Sequence, residues 1–411
     1  MAITKIKVSN FKSFKDLELE LGNFNVIVGA NASGKSNFTQ IFKFIRDIVK
    51  EGLENAISLQ GGEYLTYMGV PFPKTLSLSI ESDFEPLRIG FYENDLEIIK
   101  FTKSTYDFAL EFENNDFKIK DDKLNYNVNF IGLVETVKKQ NISEVELGSG
   151  NVIFSNEKGN IRTNITKPKG VTITEKNVSP SLINITENKL LLQVSPFFFL
   201  SATQSIGDIG LYDFDPKKSK EAGTVSGKLE LEGNGSNLSL VLRSICENEE
   251  KKRTFSNLLK DLLPFVDDLS TDKFSDKSLL FKLKEKYFSD TYFPASFISD
   301  GTVNVSALLT ALYFEKKSVT IIEEPERNIH PSLISRIVDM MKDASKKKQI
   351  IITTHNPEIV KYAGLENLLL ISRDKEGFST ISRPKDNERV KTFMKNELGL
   401  DELYVQNLLE D

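Results

Sequence analysis

The sequence predicts an α/β protein: a central, mostly parallel sheet drawn from both ends of the chain, with an antiparallel β subdomain and a helical insertion between them and no long coiled coil. Three observations predict this class. A glycine-rich loop, "GANASGKS" at 29–36, lies between a short apolar strand and an amphipathic helix. Near the other end two β-branched runs, 319–322 and 350–353, each stop abruptly at polar residues. The long stretch between them alternates apolar and polar residues and carries no sustained heptad.

The composition bounds the rest. At 411 residues, 39% hydrophobic and 27% charged, the chain can bury a large core as two lobes, or as one domain with a long insertion. A formal net charge of −6 argues against a wholly basic nucleic-acid-coating protein but leaves room for a local basic patch. One cysteine (Cys246) rules out an internal disulfide and points to a reducing compartment, and with only two histidines the ligands for a Cys/His zinc site are too few. The N-terminal "MAITKIKVSNFKSF" lacks the apolar core of a signal peptide. "LLLQVSPFFFL" at 190–200 is broken by Gln193, Ser195 and Pro196, too short to span a bilayer, and reads as a buried strand leading into a turn. A cytoplasmic protein without a membrane span is expected.

The first elements carry the chemistry. "FNVIVG" is a strand, and "KSNFTQIFKFIRDIVK" a helix with Phe38, Ile41, Phe42, Ile45 and Ile48 on one face. Between them the loop fits G-x-x-x-x-G-K-[ST] at every fixed position. Gly29 and Gly34, flanking Ala30, Asn31, Ala32 and Ser33, let backbone N–H groups wrap a polyphosphate at the helix N-terminus. Lys35 reaches the β- and γ-phosphates, the Ser36 hydroxyl is a Mg²⁺ ligand, and Asn37 completes the nucleotide-binding run. ATP and Mg²⁺ are therefore the expected ligands.

The far end supplies the partner. "SVTIIEEPERNIHPSLI" ends a buried strand in two adjacent acids, which alone would read as a charged surface turn. Beside a phosphate loop they gain roles: Glu323 on the metal, Glu324 on the water that attacks the γ-phosphate. His355 ends the next β-branched run as a γ-phosphate contact, whereas His330 stays open between a structural and a functional role.

Four short runs from 75 to 130 ("TLSLSIES", "LRIGFYEN", "LEIIKFTK", "YDFALEFE") predict antiparallel strands joined by Asn/Asp turns. Residues 131–190 read as exposed loops with short strands, and 236–290 as helical. The chain accordingly divides into 1–74 with the phosphate loop, 75–200 as the β subdomain, 201–294 as a connecting and helical subdomain, and 295–411. Basic clusters lie at Lys217, Lys218 and Lys220, at 251–253 and at 346–348; the second follows Glu249 and Glu250 and reads as a solvated helix face rather than a nucleic-acid groove.

Taken in order, these segments resemble the ABC-type ATPases of the SMC/RecF superfamily, and most of all the compact AAA-type ATPases related to the OLD-family ATPase domain, many of which serve in phage defence. "ITKIKVSNFKSFKDLELEL" is similar to that family's opening hairpin, "GANASGKSN" to its Walker A and "IIEEPERNIHP" to its Walker B and D-loop. "FISDGTVNVSALLTALYF" resembles its signature segment, here Ser299, Asp300 and Gly301, and "IIITTHNPEIV" its switch strand with His355. "LYDFDP" and "GNGSNLSLVLRSI" look like lesser signposts, and Gln60 is a candidate Q-loop residue. The transporter-type "LSGGQ" is absent. The resemblance implies ATP hydrolysis, a homodimer or higher oligomer closed around ATP, and a nuclease or toxin effector encoded nearby. It also carries an alternative, a DNA-binding clamp of the RecF/SMC kind. A nuclease within the chain itself is not expected: about 55 residues follow His355, too few for a Toprim domain. Asp213 and Asp215 in "YDFDP" have the spacing of a metal pair but read as turn or packing residues.

Overall fold

The computed structural model describes residues 2–67, 74–92, 96–113, 116–136, 141–178, 185–193, 206–224, 226–275, 278–288, 291–395 and 398–409. Contacts group the chain into two interleaved units. One contains Met1–Leu21, Gln40–Asp208 and Arg373–Thr380, the other Gly22–Thr39, Ile209–Ser372 and Ile381–Asp411. The four-part division expected from sequence follows the chain, whereas these units follow the sheets.

The first unit is built on a seven-stranded antiparallel sheet. Its strands are β1 (Ala2–Phe11), β2 (Phe14–Glu20), β4 (Lys74–Tyr92), β5 (Leu96–Glu113), β6 (Asp116–Thr136), β7 (Asn141–Glu157) and β8 (Asn160–Thr166), in the order β2-β1-β4-β5-β6-β7-β8. The opening hairpin expected at the N-terminus is β1–β2. The four short runs between 75 and 130 correct to two long strands, β4 and β5. Register shifts at Asp83/Leu87 and Phe101/Lys103 break the alternation there. A bulge interrupts periodicity just as a turn does, so the pattern cannot tell them apart. The expected loops of 131–190 correct likewise: β6 runs on to Thr136, and β7 and β8 pair along 151–166. Side chains of β8 alternate only between exposed and half-buried, and a sheet face open to water needs no apolar residues. Phe11, Phe44 and Phe108 pack as neighbouring rings at 6.0 and 6.5 Å in the core. Leu190, Leu191 and Leu192 are buried, with Leu191–Gln193 forming a 3₁₀ turn; the remainder of the expected 190–200 strand lies outside the described residues.

The second unit holds the parallel sheet. Strands β3 (Phe24–Val28), β9 (Ile209–Tyr212), β14 (Val319–Glu323), β15 (Gln349–Thr354) and β16 (Leu368–Arg373) pair in the order β16-β3-β15-β14-β9, all parallel. Every residue of β3 and β15 is buried, as central parallel strands require. A smaller antiparallel sheet consists of β10 (Gly223–Thr224), β11 (Val266–Ser275), β12 (Ser278–Glu285) and β13 (Tyr292–Pro294). Here the helical reading of 236–290 is half right. Leu238–Cys246 and Glu249–Leu262 are helices, but β11 and β12 form a hairpin, with Leu279, Phe281 and Leu283 inward at period two. Among the described residues no helix is long and apolar enough to cross a membrane.

Candidate nucleotide site

Parallel register brings the predicted residues to one edge. Thr353 of β15 pairs with Ile27 of β3 on one side and with Glu323 of β14 on the other. The phosphate loop, the acidic pair and His355 therefore leave the same carboxyl edge of the sheet. With neighbouring strands about 4.8 Å apart, the ends of β3 and β14 are about 10 Å apart.

The loop is tight by composition. A Cβ on Gly29 would lie 2.3 Å from the Ile371 carbonyl oxygen, so only glycine fits against β16 there. Gly34, at φ +119°, takes a backbone conformation that L side chains rarely adopt, and Ala32 sits at φ 62°. From Gly34 the helix Lys35–Glu51 begins, with Phe38, Ile41, Phe42, Ile45 and Ile48 all fully buried. Lys35 Nζ bends back over the loop and donates to the Gly29 and Ala30 carbonyls at 2.8 and 2.9 Å. Burial lowers its pKa, although Glu324, Glu323 and Glu326 pull the other way. Asn31 and Ser36 are exposed, with the Ser36 hydroxyl open at the helix start. This cradle and donor set fit a polyphosphate with a hard cation: backbone N–H groups, one ammonium, one hydroxyl and carboxylates close by.

Thr39, which the sequence reading passed over, connects the loop helix to the acids. Its Oγ1 lies 3.0 Å from the Ser36 carbonyl and donates to Glu323 Oε1 at 2.7 Å. Burial raises the Glu323 pKa, opposed by this hydrogen bond. Glu324 follows in a left-handed conformation (φ 45°), its N–H donating to the Thr353 carbonyl at 2.8 Å. That turn carries the second carboxylate away from the first. Glu324 Oε1 accepts from His355 Nδ1 at 2.8 Å, and Oε2 from Arg327 Nη2 at 3.2 Å. Burial works against ionisation of Glu324, but Arg327 and His355 outweigh it and hold its pKa below the usual value. Glu326 is buried, and its pKa is raised by that burial despite a 2.5 Å bond from Thr354 Oγ1.

The signature residues start a helix, Asp300–Leu309, that continues as a π turn, Thr310–Phe314. This helix is buried on all sides from Thr302 to Leu312. Ser299 is exposed and caps this helix, its Oγ accepting from Thr302 N–H at 3.2 Å. Asp300 pairs with Lys220. A Cβ on Gly301 would sit 2.5 Å from the Asn328 carbonyl, so the signature turn rests directly on the segment after Glu324. Asn304 Nδ2 adds a 2.6 Å bond to the Arg327 carbonyl.

The other candidates separate. His330 is exposed and pairs with Ser332, capping the turn Pro331–Leu333. Asp215 caps the helix Pro216–Lys220, and Asp213 pairs with Arg327 at 2.8 Å. Gln60 ends the helix Leu53–Leu59 in the first unit, buried, with neither amide atom hydrogen-bonded. Lys348, in the third basic cluster, is half-buried and donates to the Ala311 and Glu315 carbonyls. Arg327 was legible as a residue of the Walker B segment, but its partner Asp213 is 114 residues away and left no local signal.

The family model described as "AAA domain, putative AbiEii toxin, Type IV TA system" matches residues 24–361, from β3 through the helix after His355. The chain belongs to this AAA family. Within curated proteins, the AAA chain is similar to endonuclease GajA of Bacillus cereus (strain VD045), 21% identical over 375 residues, 88% of this chain and 56% of that protein. It is also similar to Septu protein PtuA of Bacillus mycoides (strain KBAB4), 29% identical over 108 residues, 24% of this chain and 15% of that protein. The chain thus spans little more than half the length of GajA, and the match to PtuA is a smaller part still. Among solved structures, an SMC head bound to the C-terminal winged-helix domain of ScpA aligns with a TM-score of 0.51 at 15% identity, covering 93% of this chain and 97% of that one. That likeness places the AAA chain's fold with the SMC heads, in agreement with the SMC/RecF-type ABC ATPase resemblance read from the motifs.

Proposed function

We propose that this chain binds and hydrolyses ATP, that two copies close around two ATP molecules, and that the resulting movement gates a nuclease or toxin effector in anti-phage defence. The observation that carries the hydrolytic part is Glu324. Its carboxylate is kept ionised and fixed by His355 and Arg327, at the same sheet edge as the phosphate loop and Glu323. An ionised carboxylate at that edge can take the proton of a water attacking the γ-phosphate. Lys35 leaves the Gly29 and Ala30 carbonyls to bind the β- and γ-phosphates, while backbone N–H groups from Gly29 to Ser36 wrap them. Ser36 and Glu323 would hold Mg²⁺, which supplies charge neutralisation on the phosphates. His355 orients Glu324 through Nδ1 and leaves Nε2 for the γ-phosphate.

Dimer closure takes support from the signature segment. The chain has one phosphate loop and one signature, and Ser299 is exposed at its helix start. Phe297, two residues earlier, is 79% exposed, an apolar side chain suited to burial when a second copy arrives. Effector gating takes its support from the resemblance to an endonuclease longer than this chain.

The test compares Glu324→Gln with Lys35→Ala. Glu324→Gln is expected to keep ATP binding and lose at least about a hundredfold in phosphate release. Lys35→Ala is expected to lose nucleotide affinity instead. Wild-type turnover in Glu324→Gln would remove Glu324 from the chemistry.

A further inference from the structure

We propose that Arg327 is the residue that positions Glu324, with Asp213 and Asn304 holding Arg327 for that task. The inference rests on the reading of Glu324 as the hydrolytic base and adds what keeps that base in place. Glu324 belongs neither to strand nor to helix; at φ 45° its backbone direction is unusual for a side chain, and no regular element fixes its carboxylate. His355 supplies one restraint, at Oε1. Arg327 supplies the other, at Oε2, and is itself tied through both backbone and guanidinium, including a 3.5 Å bond from Nη1 to the Phe214 carbonyl. Its N–H donates to the Glu324 carbonyl at 3.0 Å, and its own carbonyl accepts from Asn304 at 2.6 Å. Nη1 donates to Asp213 Oδ1 at 2.8 Å, and Nη2 reaches Glu324 at 3.2 Å.

A planar guanidinium can span two carboxylates from separate segments in one fixed geometry, which a lysine ammonium on its flexible stem cannot. The two restraints leave the base competent. Each carboxylate oxygen has two lone pairs, so with one hydrogen bond at each, both keep a lone pair for water. Asp213, at the end of β9, keeps Arg327 from turning wholly onto Glu324. Asn304 lies one turn into the signature helix, and Gly301 rests on the Asn328 carbonyl. A displacement of that helix is therefore passed to Arg327 and on to the carboxylate, a physical link between signature and base.

The experiment measures kcat, KM and ATP Kd for Arg327→Ala, Arg327→Lys, Asp213→Asn and the double variant Asp213→Asn/Arg327→Ala, beside Glu324→Gln. Arg327→Ala is expected to lower kcat at least about tenfold with KM and Kd within about twofold, the split a positioning role gives. Arg327→Lys should recover part of that loss. Asp213→Asn should lower kcat less, and the double variant should be no slower than Arg327→Ala, because Asp213 acts through the guanidinium. Unchanged or faster turnover in Arg327→Ala overturns the proposal. So does full recovery in Arg327→Lys, or a loss from Asp213→Asn that adds in full to that of Arg327→Ala. If Arg327→Ala does not fold, Arg327→Lys and Asp213→Asn decide on the same kcat-against-KM criterion. Glu324→Gln separates the two levels: inactive Glu324→Gln with normal Arg327→Ala sinks this inference alone, whereas active Glu324→Gln sinks the base assignment beneath it.

Discussion

Asp122, a residue with no part in the nucleotide site, sets a pH dependence of stability in the antiparallel unit. Its side chain is 1% exposed and accepts from Tyr106 Oη at 2.7 Å, Asn156 Nδ2 at 3.0 Å and Leu191 N–H at 2.8 Å. Burial pushes its pKa up to about 6 from 3.8, against the pull of these donors. A carboxyl whose pKa is higher folded than unfolded binds more protons in the native state. Its contribution therefore favours folding at low pH and is lost as pH rises from about 4 through about 6, by up to about 3 kcal/mol. Asp122→Asn can turn its oxygen toward Asn156 and Leu191 and its amide N–H₂ toward the Tyr106 oxygen, removing the charge while reversing the direction of the Tyr106 bond. Its stability relative to wild type is expected to rise between pH 5 and pH 8. Thermal melts of both proteins at the two pH values check this, and a constant difference would refute it. In the sequence Asp122 is one of two adjacent aspartates in "IKDDKLN", with nothing to mark it as the buried one.

At the scale of elements, the signature helix depends on how its far end is closed. Lys348 Nζ closes the π turn Thr310–Phe314, donating to the Ala311 carbonyl within it at 2.9 Å and to the carbonyl of Glu315, the residue that follows it, at 2.8 Å. Burial lowers the Lys348 pKa to about 8, so the ammonium is kept for its bonds rather than for solubility. Lys348→Met removes both donors and is expected to cost about 2 kcal/mol, since two acceptors lose their partner while the buried charge is relieved. Urea unfolding measures it; a stability equal to wild type would show that water replaces the lysine. Within the basic run 346–348, Lys346 and Lys347 are exposed whereas Lys348 turns inward. Charge runs do not reveal which member turns inward, because that depends on carbonyls more than thirty residues away.

At the scale of the whole molecule, the composite-site reading makes a prediction that neither single residues nor single elements can. Lys35→Ala disables the phosphate loop of its own copy, and Ser299→Arg the signature of its own copy. Each pure variant is expected to be inactive. Mixed, they form dimers in which one intact loop faces one intact signature, and hydrolysis should return to at most about a quarter of the wild-type rate if subunits pair at random and one site fires alone. Phosphate release from the mixture at varied ratios checks it. Normal hydrolysis by Ser299→Arg as a strict monomer would discard the shared site.

What the sequence by itself determined is local. "GANASGKS" contains its own reason for folding as it does: glycines where backbone must approach closely, a lysine and a serine at the first helical turn, apolar residues at helical spacing beyond. The β-branched runs before Glu323 and His355 were legible for the same reason, since a parallel strand buried on both faces writes itself as an unbroken apolar run. What only the tertiary structure decided are pairings across long separations. Strands β4 and β5 continue through bulges because their neighbours hold them, and β11–β12 forms a hairpin where helix was expected. Thr39 meets Glu323 across 284 residues, and Asp213 meets Arg327 across 114. Periodicity reports which face of an element is buried, whereas a hydrogen bond between distant side chains depends on which strands lie side by side. Here that is fixed by placing β9, β14, β15 and β3 in one parallel sheet, and only then do an aspartate, an arginine and a glutamate become neighbours.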